Sequence, residues 1–540
     1  MKGGTLMKIV KLPESMQQVI RQNDPLGLYL DNLVKGKKPT ERSWLYEDLQ
    51  PDTILENWLR HLEPLSHGSP YEVEVFQFDT SQLEKWGPQG GVKPISEILD
   101  VVEAGFKMAD SPQPSAFKTP EWKRALSDTI GQMQQMGIYP GSLRPASYKH
   151  VVDDMRARDT LESNSGWPDF ARRNLPDVKA AALEAAADGE WRNYPAIALF
   201  RNYNNKTRLV WMFPMAVNIV EGSFYQPLQD ALLSSRDELY KEFVNPWGFY
   251  APWKGFQFVR DQISDAYHSG LFVSASDFSS TDAHFTWHAT SQVLEVLKVL
   301  FPKQFSEPLA ETLKYMQTIP LIIGPNEMIT GDHGVSSGSN WTNFIETIFD
   351  RILANYVSIL HPAWDGMYAI GDDMSWWTDE YDDAFADKLA AVGKDVGQEI
   401  KADKTTNEKD RVKSLQRLFQ RGYNTPEGKT RGVYSTIRAL KSSVYPEKFH
   451  KPKLWNSNMF CARQYMILEN CVDHPLFEEF VKFVVMGQKD LIPFAKKPRA
   501  ELDRILRETK LLPGLNPTYN QERRDSSLAE FASIRYAATL

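Results

Sequence analysis

The chain has 540 residues and a mass of 61.8 kDa, carries a formal charge of −8 from 62 basic and 70 acidic side chains, and is 12% aromatic. That length supports a large core divided among several domains, and the acidic balance excludes a protein that coats nucleic acid through bulk charge. Its two cysteines, Cys461 and Cys471, exclude a disulfide framework or a cysteine metal cluster, and no run approaches the roughly 18 apolar residues of a membrane span.

Met1 to Lys11 lacks an apolar segment of signal-peptide length, so a soluble protein in a reducing intracellular compartment is expected. On that expectation the glycosylation sequons at Asn205 and Asn340 are chance matches. Residues 1–70 are broken by Pro13, Pro25, Pro39, Pro51 and Pro64 and read as an extension over a larger body. The alternation from Tyr71 to Phe78 predicts a strand, and residues 120–136 have helical spacing behind Pro120. Asn164 to Pro168 is a turn with Arg172 and Arg173 close behind, followed by an Ala-rich helix from Asp177 to Ala187. Such a turn either connects two elements or holds a nucleic-acid backbone.

Arg201, Lys206 and Arg208 precede an apolar run, Leu209 to Val217. Lys206 and Arg208, two apart, share one face of a strand, which suits a triphosphate and equally an exposed edge. Leu271 to Val273 begins a buried strand ending at Asp277, and Asp282 precedes a helical pattern running to about Leu300. Asp282 reads as a ligand contact or as a helix cap. His284 and His288 on that helix have metal-ligand spacing but lack the intervening Glu of a zinc protease, so zinc is discounted. The polar segment Gly331 to Asn343 then enters a helix with apolar positions 344, 345, 348, 349, 352, 353 and 356. Its Ser337, Gly338, Thr342 and Asn343 suit contacts to a sugar, or a capped helix entry.

From Tyr368 to Trp377 the sequence reads strand, tight turn, strand, with Gly371, Asp372 and Asp373 at the tip. Adjacent carboxylates repel, so a bound cation such as Mg²⁺ explains the pair, while Asp and Gly also favour an ordinary surface turn. Residues 401–453 hold 14 Lys or Arg against 5 Asp or Glu, a local basic wall that fits a polyanionic ligand or a solvated helix face. Gly422 to Thr430 approximates a phosphate loop but has the wrong spacing and no strand leading into it, so an ATPase is rejected. The last 25 or so residues read as a mobile tail.

In their order and spacing these segments resemble the motifs of viral RNA-dependent RNA polymerases. Asp277 and Asp282 resemble motif A, Ser337, Gly338, Thr342 and Asn343 motif B, and Gly371, Asp372 and Asp373 motif C. Ala402, Asp403 and Lys404 resemble motif D, and Leu415, Gln416 and Arg417 the motif E hairpin. Upstream, Arg201, Lys206 and Arg208 resemble motif F, and Ser165 to Pro168 motif G. The Ser337-Gly338-Ser339 form looks most like picobirnaviruses, with partitiviruses second. Trp376 and Trp377 depart from the pattern by their bulk; the palm core is where they would fit.

The resemblance implies an α+β right-hand fold of fingers, palm and thumb, a closed hand with an antiparallel palm sheet. The corresponding divisions are an extension at 1–70, fingers at 71–225, palm at 226–300, a fingers insertion at 301–334, palm at 335–425, and thumb with tail at 426–540. It implies RNA-templated RNA synthesis for a segmented double-stranded RNA genome, inside a capsid and in the host cytoplasm. Asp277, Asp372 and Asp373 would hold two Mg²⁺ or Mn²⁺ ions, and Lys404 would act as an acid. Arg201, Lys206, Arg208, Asp282, Ser337, Gly338, Thr342 and Asn343 would bind the nucleotide, and Ser165, Gly166 and Arg417 the RNA. The expected partners are RNA template and product, nucleoside triphosphates and a capsid protein, with no membrane and a monomeric chain. Two rivals are a reverse transcriptase, which Asp282 and Asn343 oppose as a polar pair suited to a ribose 2′-hydroxyl, and a nonenzymatic RNA-binding protein. A glycoside hydrolase is disfavoured, since Asp372 and Asp373 are too close to flank a sugar.

Overall fold

The computed structural model describes residues 5–158, 160–515 and 527–540. They divide into two compact units: 1–36, 93–200 and 208–414 form the first, and 37–92, 201–207 and 415–540 the second. Among the described residues no helix is long and apolar enough to cross a membrane.

The first unit is built around a four-stranded antiparallel sheet in the order Asp365–Ile370, Asp373–Thr378, Phe272–Asp277, Thr406–Asn407. Both faces of the inner strands are buried, by Val273, Ser274, Ala275 and Ser276 in one and Met374, Ser375 and Trp376 in the other. Val273 and Trp376 are fully buried, and Trp376 donates from Nε1 to Ser276 Oγ at 3.0 Å. Trp376 thus fills the core as its bulk requires, and Trp377 meets Phe243 edge-on at 5.4 Å. Behind the sheet lies the helix Trp341–Leu360, whose apolar positions are buried as the spacing predicts. A second sheet has the strand order Lys8–Lys11, Glu327–Thr330, Leu321–Ile322, Ala196–Tyr203, Lys206–Met212. The N-terminal residues therefore contribute a strand, pairing Lys8 with Thr330 through Lys11 with Glu327.

The second unit packs helices around one apolar core that includes Trp58, Phe460, Tyr465, Phe480 and Ile534. Two expectations fail here. Residues 70–80 form a helix, not a strand: Ser69 caps it by accepting from Glu72 N at 3.3 Å, Pro70 occupies its first turn, and Val75 and Phe78 are buried. The last residues are not a uniform tail either. Residues 516–526 of the expected tail lie outside the described residues, but Leu528, Phe531, Ile534 and Ala537 are at most 2% exposed in the core.

The helices expected at 120–136 and 177–187 are present as Pro120–Gln135 and Pro176–Asp188. The pattern after Asp282 is interrupted, giving Thr281–His284 and then Trp287–Leu300. That break separates the histidines: His284 Nδ1 lies 3.0 Å from Ser280 O and His288 Nε2 lies 3.1 Å from Ser111 O.

Candidate active site

Strand register places the acidic residues. In the antiparallel pair, Asp277 stands opposite Asp373, and Ile370 opposite the same Asp373 closes the hairpin around Gly371 and Asp372. Carboxylate oxygens of Asp277, Asp372 and Asp373 all come within 4.8 Å of one another. Burial first, then the charges of Asp372 and Asp277, push the Asp373 carboxyl well above its ordinary value. Asp372 is also raised by burial, with Arg208 opposing the shift. Three hard oxygen donors that repel one another without a counter-charge suit a Mg²⁺ or Mn²⁺ ion.

The hairpin tip requires glycine for two reasons. Gly371 has φ 59°, and a Cβ there would lie 2.8 Å from Asn343 Nδ2. Its amide donates to Thr347 Oγ1 at 2.9 Å, which fixes the tip to the helix Trp341–Leu360. Asn343 itself is held by Trp253, whose Nε1 donates to Asn343 Oδ1 at 3.0 Å.

Asp282 meets this group from the short helix Thr281–His284, which follows the strand Phe272–Asp277. Its backbone carbonyl accepts from Val335 N at 3.0 Å, and a Cβ on Gly334 would come within 1.8 Å of that oxygen. Crowding by protein raises the Asp282 carboxyl to about 6, while its hydrogen bond to Glu346 lowers it, Asp372 raises it and Arg208 lowers it. Asp282, Asn343 and the hairpin are therefore neighbours, as a sugar-reading pair beside a metal site would be.

Glu346 and Asp350 were not anticipated. Both are buried, Glu346 Oε1 and both Asp350 carboxylate oxygens have no hydrogen-bond partner among the described residues, and burial drives both carboxyls well upward. Their signal was positional. They follow Asn343 by three and seven residues, so they share its helical face while interrupting an otherwise apolar helix.

The remaining expected residues divide. Ser337 is exposed and its Oγ accepts from Trp211 N at 3.3 Å; a Cβ on Gly338 would overlap Trp211 O at 1.6 Å. Thr342 is buried and its hydroxyl donates to Ser336 O, so it anchors the loop from beneath. Ser165 is buried, donates its amide to Ala171 O at 2.7 Å and accepts from Ala171 N at Oγ at 3.2 Å, while Gly166 adopts φ 67° beside Phe213 O. Among the three upstream cations, Arg208 acts on Asp282 and Asp372. Lys206 is exposed, and Arg201 falls in the second unit, bound to both carboxylate oxygens of Glu447 at 2.8 and 2.7 Å. Lys404 is exposed at the end of the turn Ala402–Lys404. Leu415 and Gln416, both with positive φ, form the expected tight turn. Arg417 has a structural position: it is 5% exposed and donates to Gly432 O and Asn470 O, each at 2.9 Å.

A model of the viral RNA-dependent RNA polymerase family matches residues 203–433. A protein described as a potential RNA-dependent RNA polymerase of human picobirnavirus (strain Human/Thailand/Hy005102/-) is 27% identical over 492 residues, covering 86% of each chain. The crystal structure of the RNA-dependent RNA polymerase of a human picobirnavirus superposes with a TM-score of 0.78 at 23% identity, covering 98% of this chain and all of that one. The insertion-loop deletion mutant of such an enzyme gives 0.76 at 25% identity, covering 93% and 97%. The fold is the right-hand polymerase fold. Carrying its paired aspartates on that fold, the chain is an RNA-directed RNA polymerase that binds RNA and nucleotides, and it resembles the viral RNA-dependent RNA polymerases, those of picobirnaviruses among them.

Proposed function

We propose that the enzyme joins nucleotides by a two-metal mechanism while replicating and transcribing a segmented double-stranded RNA genome. One observation carries the mechanism: the carboxylate oxygens of Asp277, Asp372 and Asp373 lie within 4.8 Å of one another. Two Mg²⁺ or Mn²⁺ ions bound there would lower the pKa of the attacking RNA 3′-hydroxyl and neutralise the leaving pyrophosphate oxygens. Asp277 and Asp372 are the principal ligands in this reading, with Asp373 assisting.

The other residues orient and discriminate. Asp282 and Asn343 read the ribose 2′-hydroxyl from beside the hairpin, and Ser337, Gly338 and Thr342 shape the loop that receives the sugar. Arg208, with Lys206 and Arg201 on the same hairpin, attracts the triphosphate by charge-assisted hydrogen bonding. Arg201 must exchange Glu447 for a phosphate to take part. Lys404 donates a proton to departing pyrophosphate. Ser165 and Gly166 support the template strand. Arg417 serves RNA only indirectly, by fixing the hairpin that contains it.

In the division of the hand, the sheet with Asp277 and Asp373 is the palm, the segments around Ser165 and Arg208 are fingers, and most of residues 426–540 are thumb. The polymerase works as a monomer inside a capsid and in the host cytoplasm, with capsid protein as its partner. Metal-dependent incorporation of labelled ribonucleotide on an RNA template tests the reaction. Incorporation that persists in chelator, or that needs a DNA template, overturns it.

A further inference from the structure

A buried polar cluster lies away from the acidic centre, on the helix Met215–Leu232. Glu221 is completely buried, an expensive position for a carboxylate unless several donors converge on it. Three do: Asn340 N at 3.1 Å and Asn218 Nδ2 at 3.0 Å reach Oε1, and the Ser339 hydroxyl reaches Oε2. Two of those donors belong to the loop entering the helix Trp341–Leu360, which carries Asn343.

Asn218, one turn before Glu221, extends the cluster in both directions. Towards the loop, its Nδ2 donates to Gly338 O at 3.3 Å and its backbone oxygen accepts from Asn340 Nδ2 at 3.0 Å. Towards the turn Asn164–Gly166, its Oδ1 accepts from Arg173 Nη2 at 2.9 Å. Arg173 Nε in turn donates to Asn164 O at 3.1 Å, and Asn164 Oδ1 accepts from Gly166 N at 2.7 Å. The strand end preceding this helix touches both segments as well. Gly338 lies against Trp211 O and Gly166 against Phe213 O, with no room for a Cβ at either, and Met215 N donates to Ser165 O at 2.8 Å.

We propose that Glu221, with Asn218 and Arg173, is a positioning latch that holds the Ser337–Asn340 loop in its nucleotide-accepting place and couples it to the template-side turn at Asn164–Gly166. The inference rests on the roles given to those two segments above. It makes Glu221 a residue that acts through Ser339 and Asn340, without itself touching substrate.

The latch depends on bond geometry more than on charge. Burial lifts the Glu221 carboxyl to about 7, while the bonds from Ser339, Asn340 and Asn218 and the charge of Arg173 lower it. Either protonation state can keep all three bonds, because the Ser339 hydroxyl can donate or accept. An amide can do the same: the oxygen of a Gln would face Asn340 N and Asn218 Nδ2, and its nitrogen would donate to Ser339 Oγ.

Single-nucleotide incorporation and RNA dissociation, measured on the full chain, test the proposal. Glu221→Ala should raise KM for the nucleotide roughly tenfold or more and also weaken template RNA, because buried donors lose their acceptor. Glu221→Gln should restore both. Coupling predicts that Arg173→Ala, on the turn side, also raises nucleotide KM, and that Ser339→Ala, on the loop side, also weakens template binding. A purely structural role would lower the active fraction in Glu221→Ala and leave KM unchanged in the active molecules, which would overturn the latch. So would a Glu221→Gln enzyme as impaired as Glu221→Ala, or Arg173→Ala and Ser339→Ala effects confined to their own sides. Should Glu221→Ala fail to fold, Arg173→Ala and Ser339→Ala decide the question alone. Failure of the wild-type chain to copy RNA at all would instead sink the assigned reaction, so the two failures are distinguishable.

Discussion

Asp277 and Asp373 stand directly opposite one another in the antiparallel register of neighbouring strands, with Asp372 beside Asp373 in the turn that joins it to Ile370. A one-residue slip would reverse every side chain of one strand, so this register is what gathers the acidic group.

Replacing Asp372 by Ala should therefore abolish synthesis without harming the fold. Asp372 is solvent-exposed at the hairpin tip even though the surrounding protein crowds its carboxyl, so its loss opens no enclosed cavity and relieves repulsion on Asp373. The expected loss in rate is at least roughly 10²–10³-fold, the typical worth of a single group placed to stabilise reaction charge. Asp277→Asn should behave alike, and added Mn²⁺ should not restore full rate. Near-normal elongation by a correctly folded variant would refute the ligand assignment.

Sugar selection should depend on the pair that flanks the hairpin. Asn343→Ala and Asp282→Ala are each expected to narrow the preference for ribonucleotides over deoxyribonucleotides. A site built to bond a hydroxyl discriminates by as much as roughly 10⁴-fold, because the missing hydroxyl leaves a polar group unpaired. Competing incorporation of the two sugars measures it. Equal losses on both would mean that these residues only support the palm.

Lys404 offers a separation of charge from proton transfer. Arginine keeps the charge but does not give up a proton near neutral pH. Lys404→Arg should lower the chemical step in single-turnover kinetics, by roughly 10²-fold or more if the lysine is a positioned acid, with RNA affinity little changed. Wild-type turnover in Lys404→Arg, together with weaker RNA binding in Lys404→Ala, would leave Lys404 a purely electrostatic role.

In the second unit, Asp79 is wholly buried and accepts from Ser435 Oγ and Thr436 Oγ1 at 2.6 Å each, Ile437 N at 3.0 Å and His474 Nε2 at 2.9 Å. Leu476 N donates to His474 Nδ1, which fixes the proton on Nε2. Asp79→Ala should destabilise this unit by several kcal/mol, at roughly 1–3 kcal/mol for each buried donor left without its acceptor, as read by denaturant unfolding. Burial pushes the Asp79 carboxyl up, but the His474, Ser435 and Thr436 bonds outweigh it and hold the group below its ordinary value. Its folded pKa is thus below the unfolded one, so its stabilisation is complete above about pH 4 and is lost as pH falls through the folded value. A stability difference between wild type and Asp79→Ala that grew as the pH was lowered below 4 would contradict this.

What the sequence determined by itself lies in short range. Asp277 at a strand end, Gly371 in a turn that needs positive φ, and the helical face after Asn343 follow from local patterns of period two and 3.6, which depend only on neighbouring residues. The strand expected at 71–78 failed for a related reason. Tyr71, Val73, Val75, Phe76 and Phe78 fit either period, and the choice was made by the Ser69 cap and by the burial of Val75, Phe78 and Asp79 in a core assembled from residues hundreds of positions away. Leu528 to Ala537 looked like a tail because their partners, such as Glu469 and Tyr465, stand 63 and 68 positions away from the residues that bond them. Only tertiary structure could show that Arg201 binds Glu447, that Arg417 is buried, that Glu346 and Asp350 sit beneath the aspartates, and that Glu221 accepts hydrogen bonds from Ser339 and Asn340. Each of these depends on which distant groups share a low-dielectric interior with the side chain, and sequence spacing carries no record of that.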